Sequence, residues 1–466
     1  MASLLEAKQA QKERKFDQAI EIYKQLIQQE PNLLEAYNAF GFMLYQLKRY
    51  SDAVIVFKNQ LQLHPNYAEG YSNLGASLSK LQQYREAIAC YEKALSLKPN
   101  YAGAITNMGN AYNKIGEHES AVFFHKRAIS IDAKSANHFS NLGTAYKKLG
   151  RMHKAKAAYE KAISLDPEHI NAHFDLATVY LMLEMYTQGF KAYEWRFKKE
   201  EMNDHLLAHR AIYSKPYYKE GSLKNVKLLV HTEQGYGDNI QFARYIPNLQ
   251  KRGAEIIFYC REGLKELYEE SFSHITVIER TTVLPAFDMH LPLLSASHVL
   301  DPECKILDNN KAYLKAPKKK LPIGGDKRKF KIALIWGASN TGADYQNKKI
   351  DLRGFEPLMN HNKIELYSLQ VGSDQTDIAK YGYEENIIDL SAKLINFSKT
   401  ASALSQMDLV ITCDTSVAHL SGSLAKKTWV MLQKVPDWRW RMDSSHSRWY
   451  KNMQLFRQYS HNEWSD

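Results

Sequence analysis

Two short polar clusters stand at the ends of apolar runs in the second half of this 466-residue chain. The first is Gly235-Tyr236-Gly237-Asp238, within "VKLLVHTEQGYGD"; the second is Asp414-Thr415-Ser416, after "LVITC", with His419 five residues beyond Asp414. Gly235 and Gly237 permit a tight turn. Asp238 stands where a helix would open and reads either as its N-cap, worth ~1 kcal/mol, or as a site carboxylate. Asp414-Thr415-Ser416 starts a second helix. The first amides of a helix have no internal partners and lie at the positive end of its dipole, so a diphosphate fits there, with the Thr415 and Ser416 hydroxyls as extra donors. His419, about one turn in, is within reach of a phosphate oxygen or a sugar hydroxyl. Asp414 would repel phosphate and reads as a cap or a grip on sugar hydroxyls. A capped helix with an incidental histidine accounts for the same residues without a ligand.

The elements that must position these clusters alternate. From about Lys224, "VKLLVHTEQ" reads as a strand, "NIQFARYIPNLQKRG" as a helix and "AEIIFYC" as a strand, with "ITVIER" and "FDMHLPLLS" following. The basic stretch "KKKLPIGGDKRKFK", with Gly324-Gly325, looks like a hinge. A second series follows: "KIALIWG", "IELYSLQ", "NIIDLS", "LVITCD" and "KTWVMLQ". Two such α/β units suggest doubly wound sheets facing across a cleft, with ligands at the carboxyl ends of strands. A nicotinamide dinucleotide site is disfavoured. Ile240 stands where a third glycine belongs, and Glu255 precedes the second strand instead of closing it.

Composition narrows the class. The apolar share of 44% is that of a globular protein, and no apolar run reaches the ~18 residues needed to span a bilayer. Cys90, Cys260, Cys304 and Cys413 form no C-x-x-C pair, which suits a reducing, cytoplasmic setting and argues against a disulfide scaffold or a zinc site. The start, "MASLLEAKQAQKERK", lacks the apolar centre of a signal peptide. The net charge of +11 is spread along the chain, and the dense "KAPKKK" and "GGDKRKFK" read as a solvated linker rather than a nucleic-acid patch. A phosphate-bearing substrate also suits a basic protein. The expected partners therefore include no nucleic acid and no inserted membrane.

The first two hundred residues repeat. Pro31, Pro65, Pro99 and Pro167 fall on one 34-residue lattice, with Ala133 at the remaining point. Gly41, Gly75, Gly109 and Gly143 share another, continued by Ala7 and Ala177. Ala19, Ala53, Ala87, Ala121 and Ala155 form a third, ending at Gly189; four residues after each come Tyr23, Phe57, Tyr91, His125, Tyr159 and Tyr193. Small residues let antiparallel helices approach, the ring fills the space beside them, and proline opens the next helix and cannot continue the last. This resembles the tetratricopeptide repeat over residues 1–200, in about six units, the last (ending "YEWRFKKE") atypical as a capping or docking unit would be. Asn38, Asn73, Asn107, Asn110 and Asn141 lie on first helices and are candidates for gripping the backbone of a peptide in a groove; solvent exposure or bonding within the array is the alternative.

The segments "LLVHTEQGYGDNIQFARYIP", "FDMHLPLLS", "CDTSVAHLSGSLAKKTWVML", "VPDWRW" and "RWYKNMQLFRQ" resemble a GT-B glycosyltransferase of the heptosyltransferase-related, O-GlcNAc-transferase-like type fused behind tetratricopeptide repeats. The resemblance implies a multidomain chain: an all-α tetratricopeptide superhelix (1–200), a connector (201–223), then an α/β GT-B-like pair of Rossmann-type domains, acceptor-side at 224–320 and nucleotide-sugar-binding at 321–466. It makes Asp238 the general base and Lys348 the cation that neutralises the donor diphosphate. Asp414, Thr415, Ser416 and His419 become the donor segment, and Asp437, Trp438 and Arg439 a loop where a base or sugar stacks; core packing plus a surface ion pair is the alternative for that loop. No D-x-D metal motif stands out, so the expected requirement is a nucleotide-sugar co-substrate with no metal and no further cofactor. The loop "GASNTGADYQNKK" departs from the family, with Gly342 and Gln346 where members often carry His and Arg. The implied activity is sugar transfer to an acceptor hydroxyl on a protein recruited by the repeats, with flagellin as a candidate. A lipid-linked or polysaccharide acceptor, and a non-catalytic peptide-binding scaffold, remain the alternatives.

Overall fold

The computed structural model describes residues 3–199, 210–280, 283–309, 311–338, 348–460 and 463–464. The chain divides into two compact units, residues 1–176 and 177–466.

The first unit is helical throughout. Its helices are α1 (Leu4–Lys12), α2 (Phe16–Gln29), α3 (Leu34–Gln46), α4 (Tyr50–Leu63), α5 (Ala68–Lys80), α6 (Tyr84–Leu97), α7 (Ala102–Lys114), α8 (His118–Ile131), α9 (Ala136–Lys148) and α10 (Met152–Leu165). They form antiparallel pairs, each built around the expected seat. A methyl group added at Gly41 would lie 2.5 Å from the Phe57 ring; at Gly75, 2.6 Å from Tyr91; at Gly109, 2.7 Å from His125; at Gly143, 2.8 Å from Tyr159. The glycine therefore lets the ring of the partner helix lie on bare backbone, and the alanines four residues before each ring are fully buried. The prolines meet half of their expectation, ending one helix without opening the next. Pro31, Pro65, Pro99 and Pro167 sit in the turns, and the next helix begins three residues later, at Leu34, Ala68, Ala102 and Ile170. The turn inside each pair needs a left-handed residue, and Arg14, Lys48, Gln82, Gly116 and Gly150 supply it with φ between 59° and 85°.

Helix α11 (Ile170–Met182) runs across the boundary between the units, and α12 (Tyr186–Tyr193) belongs to the second. Helix α12 is short and gives way to a 3-10 turn over Glu194–Lys198. Arg196 in that turn is buried and donates to both carboxylate oxygens of Glu233 (2.9 and 2.8 Å), to Glu194 (2.6 Å) and to the Ser295 hydroxyl (2.6 Å). Removing one partner from so dry a network would cost several kcal/mol, ~3–5.

The rest of the second unit is α/β with two largely parallel sheets. One contains β1 (Lys227–His231), β2 (Glu255–Cys260), β3 (Thr276–Glu279) and β4 (Met289–Pro292) in the order β3-β2-β1-β4. The other holds β5 (Phe330–Ile335), β6 (Ile364–Ser368), β7 (Ile387–Asp389), β8 (Leu409–Cys413), β9 (Thr428–Leu432), β10 (Met453–Ser460) and β11 (Glu463–Trp464), in the order β11-β10-β9-β8-β5-β6-β7. Among the described strand pairs only β10–β11 is antiparallel. Every residue of β8 is buried, as a parallel strand covered on both faces must be. Both sheets reverse direction of growth beside their first strand, between β1 and β4 and between β5 and β8, which opens a crevice at the strands' carboxyl ends.

Two expectations need correction. The helix read over 239–253 breaks into α13 (Tyr236–Phe242), a 3-10 turn at Ala243–Tyr245 and a helix at Ile246–Lys251, because Pro247 cannot donate back into the preceding turn. The diglycine is fastened, not slack: the Tyr367 hydroxyl donates to the Gly324 carbonyl (3.2 Å) and the Asp326 amide to Glu365 (3.0 Å). Among the described residues no helix is long and apolar enough to cross a membrane.

Candidate functional site

A cleft of about 900 Å³ in the second unit is lined by the loops after β1, β2, β5, β6, β8 and β9. Gly235, Gly237, Asp238, Lys348, Asp414, Thr415, Ser416, His419, Asp437 and Arg439 all face it; Trp438 does not.

On the first sheet's side, β1 ends at His231 and α13 opens with Gly235 as its N-cap. Asp238 is therefore not the cap residue but the third residue of the helix. Its carboxylate reaches back to accept from the Gly235 amide (3.0 Å) and, with its other oxygen, takes an ion pair from Arg439. Asp238 thus braces the helix start from its third position, where the N-cap reading places it one turn too early, and presents a carboxylate to the cleft. Gly237 serves close approach: a methyl group there would lie 2.8 Å from Cδ2 of His419.

On the second sheet's side, β8 delivers Asp414 and then α15 (Ser416–Ser423), counting α14 as Phe397–Leu404. Thr415 is the N-cap, and no side chain caps the helix. The Thr415 hydroxyl is turned to Thr412 (3.2 Å). The first amides of α15 therefore lie beside the cleft without a capping side chain, at the positive end of the dipole. Asp414 is not a cap. It accepts from the Trp440 indole N–H (2.8 Å) and pairs with Lys348 Nζ (2.7 Å). Burial presses the Lys348 pKa down, but the adjoining Asp414 carboxylate outweighs it and the net direction is up, so the ammonium stays charged.

His419 is held more tightly than expected. It is only 5% exposed, its Nδ1 faces the Tyr450 hydroxyl (3.0 Å), and its ring stacks on Trp440 at 5.1 Å. Burial, then the Arg439 charge, drive its pKa well below the ordinary value, so the ring is neutral. It is a wall of the cleft rather than a reaching arm.

The loop after β9 splits. Asp437 begins a 3-10 turn and accepts from the Arg439 amide (3.1 Å) and guanidinium (2.7 Å). Arg439 also donates to Gln241 (2.5 Å) and stays firmly cationic: burial opposes its charge, and Asp437 and Asp238 restore it. Trp438 corrects the stacking expectation. At 5% exposure it packs edge-on against Phe190 and Trp449, as core.

Several cleft residues carried no motif. Gln370, just past β6, uses its side-chain carbonyl to accept from the Trp336 and Gly337 amides (3.1 and 2.8 Å), closing the end of β5. Outside the cleft lining, Lys349, next to Lys348 in sequence, is anchored to Asp374 (2.6 Å) and Asp377 (2.9 Å). Val371 and Ile395 form an apolar lip, 53% and 78% exposed, beside Phe397. A glutamine closing "IELYSLQ" at a strand end was the one such signal legible in advance. Gly342 and Gln346 lie outside the described residues. Among the described residues, no group of His, Cys, Asp and Glu side chains is arranged to hold a metal ion.

In the first unit the asparagines divide. Asn38 is engaged within the array, donating to Tyr67 (2.5 Å) and accepting from Gln60 (2.9 Å). It sits one residue out of phase with Asn73, Asn107 and Asn141, which turns it ~100° around the helix. Asn73, Asn107 and Asn141 are half-buried and Asn110 is exposed, and their side chains make no hydrogen bond among the described residues.

Comparison with known proteins agrees with the helical part. Tetratricopeptide repeat family models match residues 4–68, 68–101, 102–135, 139–169 and 158–190. The chain is 23% identical over 304 residues to Protein FlbA of Caulobacter vibrioides, across 58% of this chain and 49% of FlbA. It thus spans about half the length of that curated relative. The crystal structure of MamA is 26% identical, covering 35% of this chain and 88% of that one at a TM-score of 0.33. YrrB, described as a TPR protein with an unusual peptide-binding site, is 19% identical, covering 41% and 98% at 0.33. Residues 4–190 are a tetratricopeptide repeat array, joined to an α/β region with parallel sheets.

Proposed function

We propose that this chain is a glycosyltransferase that moves a sugar from a nucleotide-sugar donor onto a hydroxyl of a protein recruited by its repeats. The strand orders support a GT-B pair: β3-β2-β1-β4 and β7-β6-β5-β8-β9-β10 follow the doubly wound Rossmann pattern, and the cleft lies at both reversal points. The observation that carries the reading is the meeting of Asp238, Lys348 and the amide end of α15 around one cleft.

In this reading Asp238 takes the proton of the attacking hydroxyl as its oxygen bonds to the anomeric carbon. The bond from that carbon to the diphosphate oxygen breaks, and its electron pair leaves with the diphosphate. The first amides of α15 and the Lys348 ammonium meet that charge. Both charged groups must exchange partners first. Phosphate draws Lys348 from Asp414, which keeps its Trp440 bond; Arg439 keeps Asp437 when Asp238 turns to the acceptor. A protein acceptor, flagellin among the candidates, would be presented by the array.

A second reading is favoured by the same ion pairs. With Lys348 closed on Asp414 and Arg439 on Asp238, the α/β unit would be a structural partner for a peptide-binding array. A thermal-shift panel of nucleotides and nucleotide-sugars separates the two, since a ligand of the native state raises apparent stability by mass action. A stabilising nucleotide-sugar, with transfer lost in Asp238→Asn, is the expected result. Silence across the panel favours the scaffold, and full transfer by Asp238→Asn refutes the assigned base.

A further inference from the structure

The first helix of each repeat shows one face left uncovered by its own pair, and that face has a pattern. Lys12, Lys80, Lys114 and Lys148 occupy a single 34-residue column, with Gln46 at the remaining point, and each is the last residue of its helix and exposed. Lys12, Lys80 and Lys114 are exposed and belong to none of the ion pairs among the described residues. A cation in the last turn complements any helix dipole. That alone does not explain the column, because the second helices α2, α4, α6, α8 and α10 have no basic residue in their last turns.

Seven residues before the lysine on the same face, two turns along, stand Asn73, Asn107 and Asn141. The next member of that column is Asp175, whose carboxylate is taken by Lys147 at 2.5 Å, so the run of amides ends there. Helices α7 and α9 contain no acidic residue. At the other end, the face opens into a hollow of about 520 Å³ where Phe42, 51% exposed, is ringed by Lys8, Lys12 and Arg14.

We propose that this face binds an extended acidic peptide: the asparagines pair with its backbone, the lysines with its carboxylates, and Phe42 with an apolar side chain near one end. Packed helices lie ~8–10 Å apart and an extended chain advances ~3.3 Å per residue, so neighbouring lysines address about every third residue. The inference deepens the reading that the repeats recruit a protein and is independent of the transfer chemistry.

The test uses the full chain and three labelled synthetic peptides that share one phenylalanine and carry Glu, Gln or Lys at every third position, followed by fluorescence anisotropy. The Glu peptide should bind at least ~10-fold tighter than the Gln peptide and weaken with added salt. The variant Lys80→Glu/Lys114→Glu should reverse the preference toward the Lys peptide while keeping the helical circular dichroism and any nucleotide thermal shift of the parent. Equal binding of Glu and Lys peptides, or an unchanged preference in the folded variant, overturns the charge assignment but leaves the peptide groove. Failure of all three peptides removes the groove itself, and the nucleotide panel then reports separately on the transferase.

Discussion

Arg439, in the turn after β9, closes an ion pair on Asp238, in the first turn after β1, while its other nitrogens hold Asp437 and Gln241. One guanidinium thereby ties the carboxylate expected to do proton chemistry to the sheet expected to hold the donor. Asp238→Asn keeps an acceptor for the Gly235 amide and leaves Arg439 its Asp437 partner. Transfer should fall by ~10²–10⁴ while the melting temperature drops by no more than a few degrees. Parallel activity and melting measurements on the purified variant decide it.

Lys348 and Asp414 should separate binding from stability. Lys348→Met removes the cation beside the α15 amides, and nucleotide-sugar affinity should weaken ~10–100-fold, about 1.4–2.8 kcal/mol. It also strands Asp414 on its Trp440 bond, at a stability cost of ~1–3 kcal/mol. Adding Asp414→Leu should return most of the stability and none of the affinity. Calorimetric titration and denaturant melts on both variants would show whether the two losses come apart.

Gly237→Ala tests the contact between α13 and α15. The added methyl would meet the His419 ring at 2.8 Å, and that ring is fixed by Tyr450 and Trp440. Overpacking of this kind costs ~1–3 kcal/mol, more than the fraction regained from helix propensity. Stability should fall by ~1 kcal/mol or more in chemical denaturation, with a larger loss of nucleotide binding than a methyl on the solvent side of α13 would cause.

His125 takes the place that Tyr23, Tyr91 and Tyr159 hold in other repeats, and burial, then the His138 charge, lowers its pKa to about 4. The unfolded chain binds the proton more readily, so native stability is complete above pH ~6.5 and declines as the pH falls toward 4. At pH 5 the deficit is ~2 kcal/mol. His125→Tyr should remove this decline, which urea melts at pH 7 and pH 5 would register as a smaller difference between the two than in the parent.

The repeat array was almost wholly legible because its packing rule is local and iterated. Gly41 facing Phe57 and Gly143 facing Tyr159 are visible as paired residue types at one spacing. The left-handed turn residues were not, since Arg14, Lys48 and Gln82 share a backbone angle and no chemistry. The α/β half showed its strands, because buried parallel strands are continuous apolar runs. It did not show that Asp414 belongs to Lys348 and Trp440, or that Trp438 faces the core, because those contacts join segments with no common periodicity. Asn38 falls to the alternative of bonding within the array, because it stands off the 34-residue phase that Asn73, Asn107 and Asn141 share.

The glycine-and-ring seat has one further consequence. Because the seat recurs inside each pair at one 34-residue spacing, excising or duplicating a block of 34 residues leaves every remaining pair with a small residue and a ring to close on. The array can therefore lengthen or shorten in whole steps during evolution, changing how much of a partner it measures without rewriting the half that follows.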